Sequence, residues 1–212
     1  MHQIRRVLIV LIWTCLPFAA SAQTFPSELW HEGKVVLLED IVVRGEIKYD
    51  LENNLVQVNV GNTIQTYSAR KILFFEIFDQ IAKIYRTFYA LPYSAQTNYE
   101  APVLFEVIYE GNLTLLCREY IMQENLPQMG YYTRNNVFTR QRLAFNYYFL
   151  KKNSKIKQYT MKKKDLFEVM QVHQSNIKQY IKKNKLRYDR REDLAQITAF
   201  YNELSGSRNL PD

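Results

Sequence analysis

The stretch "KILFFEIFDQIAKIYRTFY", from Lys71 to Tyr89, decides the fold class, because it reads either as one helix or as two strands. Phe74, Ile77, Phe78, Ile81, Tyr85 and Phe88 recur at spacings of three and four, which matches one amphipathic helical face. The residue types argue the other way. Most positions are β-branched or aromatic, and such side chains lose rotamer freedom in a helix and suit a pleated surface. The preceding "NLVQVNVGNTIQTYSA" holds two short alternating runs around Gly61-Asn62, a hairpin turn pair. The stretch is therefore read as a hairpin: Ile72 to Phe78 outward, a turn near Asp79-Gln80, and Lys83 to Tyr89 back.

Working outward, "APVLFEVIYEGNLTLLCREY" places Gly111-Asn112 between two apolar strands. A two-residue loop there sets Tyr109 opposite Thr114, Val107 opposite Leu116 and Phe105 opposite Arg118. It sets Ile108 opposite Leu115 and Glu106 opposite Cys117 on the other face. Further strands are expected over Lys34 to Glu39, Gly45 to Tyr49, Leu143 to Leu150 and Lys155 to Tyr159, the last after a turn at Asn153-Ser154. "MQENLPQMGYYTRNNVFTRQR", with its proline, glycine and many amides, reads as a long polar loop, a place where contacts are often made.

The remainder reads as helices. Asp165 with Glu168 and Asp189 with Glu192 have capping-box spacing, and Ser175 is a further cap. Ile177, Tyr180 and Ile181 form one apolar stripe. Leu194, Ile197, Phe200 or Tyr201, and Leu204 form another, stopped by Gly206. The expected fold is α+β: a mainly antiparallel β body, curved into a sandwich or partial barrel, with C-terminal helices packed on it.

The chain opens "MHQIRRVLIVLIWTCLPFAASAQTF". Arg5 and Arg6 precede an apolar run, and Ala20-Ser21-Ala22 is a small-residue cleavage site, so a signal peptide cut between Ala22 and Gln23 is expected. An uncleaved anchor, or a lipid on Cys15, are the rival readings. The expected division is a signal peptide over 1–22, a β-rich body over 23–160, a basic helical segment over 161–206 and a tail over 207–212. No transmembrane span is expected after cleavage. Beyond the leader only Cys117 remains, so no internal disulfide is available. It reads as a small buried strand residue.

Charge is uneven. Residues 23–150 carry 11 Lys and Arg against 14 Asp and Glu, whereas residues 151–212 carry 15 against 7. Lysines interleave with Tyr, Ile and Leu in "KKNSKIKQYTMKKK" and "KQYIKKNKLRY". Lys162, Lys163, Lys164, Lys182, Lys183 and Lys185 are the candidate contacts for an acidic lipid headgroup or polysaccharide. A solvated helix face is the plainer reading. Export disfavours nucleic acid.

Catalytic signatures are missing. There is no H-E-x-x-H, no paired cysteines, no G-x-S-x-G and no glycine-rich phosphate loop, so neither a metal site nor a cofactor is expected. Glu106 and Glu119 are a carboxylate pair of the kind any β protein offers. Trp30-His31-Glu32 puts adjacent side chains on opposite faces of an extended segment, which suits a packed strand better than a catalytic pair.

In order, "GEIKYDLENNLVQV", "TYSARKILFFEIFD", "APVLFEVIYEGNLTLLCRE", "KKKDLFEVM", "YIKKNKL" and "ITAFYNEL" resemble a group of exported proteins of unknown function from Bacteroidota-type bacteria. The likeness runs from about Trp30 to Leu204. It implies export and the β-rich arrangement, and brings no activity and no binding residues. The function expected is a non-enzymatic protein of the periplasm or envelope that binds or scaffolds an envelope protein, lipid or polysaccharide. A carrier for an amphiphilic or acidic ligand is the alternative, and an enzyme of unrecognised class comes third.

Overall fold

In the computed structural model, residues 24–94, 99–127, 137–153 and 155–206 are described. The expected cleavage site at Ala22-Gln23, the turn residue Ser154 and the 207–212 tail lie outside them.

The fold is α+β. After a single 3-10 turn, Pro26–Glu28, ten antiparallel strands form one sheet. They are β1 (His31–Leu37), β2 (Val42–Asp50), β3 (Leu55–Val60), β4 (Thr63–Ser68), β5 (Ile72–Asp79), β6 (Ile84–Tyr93), β7 (Ala101–Tyr109), β8 (Leu113–Pro127), β9 (Val137–Lys151) and β10 (Ile156–Tyr159). Helices α1 (Lys163–Val169), α2 (Gln174–Asn184) and α3 (Arg191–Gly206) follow. The strand order is β10-β9-β8-β7-β6-β5-β1-β2-β3-β4, so β5 does not continue beside β4 but joins the far side of β1.

The hairpin reading of residues 71–89 holds. β5 pairs with β6 from Phe74 opposite Tyr89 to Asp79 opposite Ile84. Asp79 accepts from the backbone N–H groups of Ile81 and Ala82 at 2.9 and 3.0 Å and so shapes the turn, which Lys83 closes in the left-handed region. Gly61 and Asn62 both have positive φ, 54° and 67°, as the two-residue turn between β3 and β4 requires.

The sheet cannot be flat. Only three residues link β4 to β5, and the step from Ser68 to Ile72 reaches at most about 14 Å. Four strand spacings of about 4.8 Å each, or roughly 19 Å, separate those strands in a flat sheet. The sheet is therefore rolled. Gly33 on β1 faces Gly45 on β2. A Cβ at either would collide with a backbone carbonyl of the next strand, Glu76 or Asn59. That pair lets the neighbouring strands crowd inward, as at a barrel corner. Inside the roll lie Val35, Ile47, Val56, Val58, Phe75, Ile77, Phe88 and Leu104.

A second part of the core forms where the helices cover β8 to β10. Leu115, Cys117, Phe149 and Tyr159 meet Leu166, Met170, Ile177, Ile181, Leu194 and Ile197 there. Of the stripes read from the helices, Ile177, Ile181, Leu194 and Ile197 are buried here, Phe200, Tyr201 and Leu204 pack half-buried against them, and Tyr180 stacks on Phe200. Cys117 is a free, buried thiol whose ionisation burial pushes up. Asn202 on α3 locks the helix to the sheet. It accepts from Leu113 N–H at 2.9 Å and donates to Leu113 C=O at 2.8 Å.

Several details differ from expectation. β1 starts at His31 and not Lys34. The stretch read as a polar loop is largely strand: β8 runs to Pro127 and β9 begins at Val137, with 128–136 outside the described residues. Proline, glycine and amides signal a loop locally, whereas these outer residues pair with each other along the β8–β9 ladder from Met122 opposite Arg142 to Pro127 opposite Val137. At the β7–β8 turn Val107 faces Leu116 and Glu106 faces Cys117 as expected, but a bulge sets Tyr109 opposite Leu115 and displaces the Ile108 pairing. The helix caps also differ. Asp165 lies in the first turn of α1 and accepts from the Thr160 hydroxyl, and Ser175 lies inside α2. The Asp189 carboxylate is held by the Arg187 guanidinium at 3.0 and 2.8 Å.

Candidate functional site

The strands place charged side chains in the same alternation as the core. Asp79 follows Phe75 and Ile77 inward on β5, Arg86 precedes Phe88 on β6, Glu106 follows Leu104 on β7, and Glu119 follows Cys117 on β8. All four are buried. Arg86 gathers them. Its Nε and Nη2 donate to the two oxygens of Glu106 at 2.9 and 2.8 Å, and Nη2 also donates to Glu119 at 2.7 Å. Nη1 donates to Asp79 at 3.1 Å and to the Tyr49 hydroxyl at 3.0 Å. All five N–H donors of the guanidinium are thus matched, which an arginine so deeply buried requires. Its plane also lies over the Phe88 ring, 5.0 Å from the centroid.

Arg191, at the start of α3, donates to both oxygens of Glu106 from the other side. Burial alone would raise the Glu106 pKa, but the two guanidiniums hold it below the usual carboxylate range. Asp79 is likewise lowered: the N–H groups of Ala82 and Ile81 and the charge of Arg86 outweigh burial. Burial raises Tyr49, whose hydroxyl donates to Glu119 at 2.6 Å. The Glu106–Glu119 pair is therefore bridged by one guanidinium, and its oxygens are engaged by Arg86, Arg191 and Tyr49. This arrangement suits structure and does not suit a free acid and nucleophile.

Beside this cluster the sheet splits. β7 pairs with β8 only as far as Glu106 opposite Cys117, whereas β8 stays paired with β9 to Pro127. The turn between β2 and β3 fills part of the split. Asn54, in the left-handed conformation that asparagine tolerates, accepts from Leu104 N–H at 3.0 Å and from Arg118 at 3.3 Å. Arg118 also donates to the Leu51 carbonyl. What remains is a cleft of about 640 Å³ between this turn and the β8–β9 ribbon. Tyr49 and Glu119 line its inner end, Leu51, Leu55, Ile121 and Leu143 its apolar walls, and Lys48, Glu52 and Asn146 add polar groups.

No family model, curated protein or solved structure matches the chain. The site is therefore read from its own geometry.

The six lysines singled out in the sequence stand elsewhere. Lys162 precedes α1 and Lys163 and Lys164 open it, while Lys182 and Lys183 end α2 and Lys185 follows. All are exposed, and none of them lines the cleft. His31 and Glu32 point to opposite faces. The buried His31 ring bonds the Pro26 carbonyl at 2.8 Å through Nε2 and stacks on Tyr49. Among the described residues no group of three or more His, Cys, Asp or Glu could hold a metal, and no helix is long and apolar enough to cross a membrane.

Sequence reasoning passed over Arg86, Arg118 and Asn54. A signal for Arg86 existed: a charged residue in phase with the buried Phe88 on a strand otherwise rich in aromatics. Nothing local marked Arg118 or Asn54, because their role comes from the turn that enters the split.

Proposed function

We propose that this is an exported protein of the periplasm or envelope that binds another envelope component without transforming it, and that the cleft beside β8 receives it. One observation carries this reading: from Arg118 onward β8 is paired on one side only among the described residues, and that side is β9. An unpaired strand edge along a cleft offers N–H and C=O groups to an extended segment, which can add to the sheet as another strand. Arg118, Glu119, Tyr120 and Ile121 all line the cleft, giving about 13 Å of strand for such pairing. In the adjoining charge cluster the oxygens of Glu106 and Glu119 are engaged by Arg86, Arg191 and Tyr49, which supports binding over turnover. Arg5, Arg6 and the Ala20-Ser21-Ala22 site support export.

A photo-reactive residue at Ile121, introduced in the protein's own host, tests this, with the same residue at the exposed Ile64 on β4 as control. One discrete envelope component crosslinked from Ile121 and not from Ile64 supports the reading. Turnover in an unbiased substrate screen, lost on Glu119→Gln, overturns it.

A second reading, a carrier for an amphiphilic or acidic ligand, draws on the cleft volume, which falls in the range of small-molecule sites, and on its four apolar wall residues. Native mass spectrometry of protein from its own host separates the two. A stoichiometric small molecule favours the carrier, and an apo mass favours the polypeptide partner.

A further inference from the structure

Lys163 on α1 and Lys178 on α2 hold their ammonium groups against the same ring. They lie 5.9 and 5.2 Å from the centroid of Phe167. Two separate helices thus bring like charges to one place. Lys182 stands one turn beyond Lys178 on the same flank of α2, and Lys162 and Lys164 adjoin Lys163. All five side chains are exposed.

The fold does not neutralise this cluster. α2 contains no Asp or Glu. Of the two acids of α1, Glu168 is paired with Lys157 on β10 at 2.6 Å, while Asp165, which accepts from the neutral Thr160 hydroxyl, offsets one of the five lysine charges. Lys182 sits at a helix C-terminus, where the backbone dipole favours a cation. Lys163 and Lys164 sit at a helix N-terminus, where the dipole opposes one. Lys178 and Lys182 are like charges four residues apart, a repulsive spacing. The contacts with the Phe167 ring and the α2 C-terminus offset part of these costs, and the charge left over is open to an anion outside the chain. From the Phe167 ring the charge extends along α2 to Lys182, on the outer surfaces of two helices, which fits an extended anionic surface better than one small anion. Val172, in the 3-10 turn Gln171–His173 between the helices, is 59 % exposed and offers an apolar side chain to the outside.

We propose that the α1–α2 face docks this protein on a bilayer rich in anionic lipid headgroups. The docking face and the cleft are separate, so this does not depend on what the cleft binds.

Sedimentation of the purified protein with vesicles tests it. Vesicles of phosphatidylglycerol mixed with phosphatidylcholine are compared with phosphatidylcholine alone, at low and at high salt. The expected result is binding to the anionic vesicles only, removed by salt, and weakened roughly a hundredfold by Lys163→Glu, Lys178→Glu and Lys182→Glu together. Ile121→Asp, in the cleft, should leave vesicle binding unchanged. If the triple variant does not fold, Lys178→Glu alone against Lys83→Glu in the β5–β6 turn keeps the comparison, and only the former should weaken binding. No sedimentation with anionic vesicles at low salt overturns the proposal. So does binding that the lysine variants leave intact, or capture of a soluble acidic polysaccharide while vesicles are ignored.

Discussion

The Tyr49 hydroxyl on β2 donates to Glu119 on β8 at 2.6 Å, although five strand steps separate β2 from β8 in the sheet. On a flat sheet those strands would stand roughly 24 Å apart. The bond therefore crosses the inside of the roll, and Arg86 supports it by donating to the Tyr49 hydroxyl and to Glu119 together.

Tyr49→Phe should remove this bridge and leave one acceptor fewer for Arg86. The expected loss is about 1–3 kcal/mol, because a buried charged donor keeps its desolvation cost when its partner goes. Urea unfolding of the variant beside the native protein measures it. An unchanged midpoint would mean that the roll does not depend on this contact.

Arg86→Met should cost more, about 3–5 kcal/mol, because Asp79, Glu106 and Glu119 would then share a buried site with Arg191 as the remaining cation. The same residues set the response to pH. Asp79 and Glu106 bind protons less readily in the fold than in the unfolded chain. Their stabilisation is thus fully present above the ordinary carboxylate range, about pH 4, and is lost as pH falls through the lower folded values. Unfolding free energy measured from neutral to acidic pH should decline on the acid side. The decline should be shallower in Arg86→Met, where the guanidinium that depresses both groups is gone.

Asn202→Ala should strip the N–H and C=O of Leu113 of their side-chain partner on α3. A loss of about 1–3 kcal/mol is expected. Hydrogen exchange at Leu113 should rise with it. Protection retained at Leu113 would show that the helix is not what shields the turn.

Gly33→Val should fail more severely than any of these, since a side chain there meets the Glu76 carbonyl, which the β1–β5 ladder holds in place. A destabilisation above about 4 kcal/mol, or failure to yield soluble protein, is expected. Gly206→Ala, where an added Cβ meets nothing within 4 Å, is the control and should be close to neutral.

Much of this fold was legible locally. The β3–β4 turn follows from Gly61-Asn62, because the next residues toward each other are alternating strands and the pair accepts positive φ. The 71–89 hairpin follows from β-branched and aromatic residues outweighing a helical period. The buried stripes of α2 and α3 follow from spacing alone, since one helix face repeats every three to four residues. The caps were less legible. Asp165 and Ser175 have the right types but lie inside their helices, which begin directly after Lys162 and after the 3-10 turn Gln171–His173.

The candidate site was scarcely legible, and the reason is distance along the chain. Alternation along each strand tells which residues share a face, so it could place Asp79, Arg86, Glu106 and Glu119 inward. It cannot tell which inward faces meet. That depends on strand order, with β5 beside β1, and on the roll that the Gly33–Gly45 pair permits. The sequence by itself determined the strands, their turns, the amphipathic helices and the basic character of the C-terminal segment, since each arises from neighbours a few residues apart. Only the tertiary structure decided the roll, the five-residue charge cluster, the split after Cys117 and the cleft beside it. Those arise from contacts between groups dozens of residues apart, for which no local period exists.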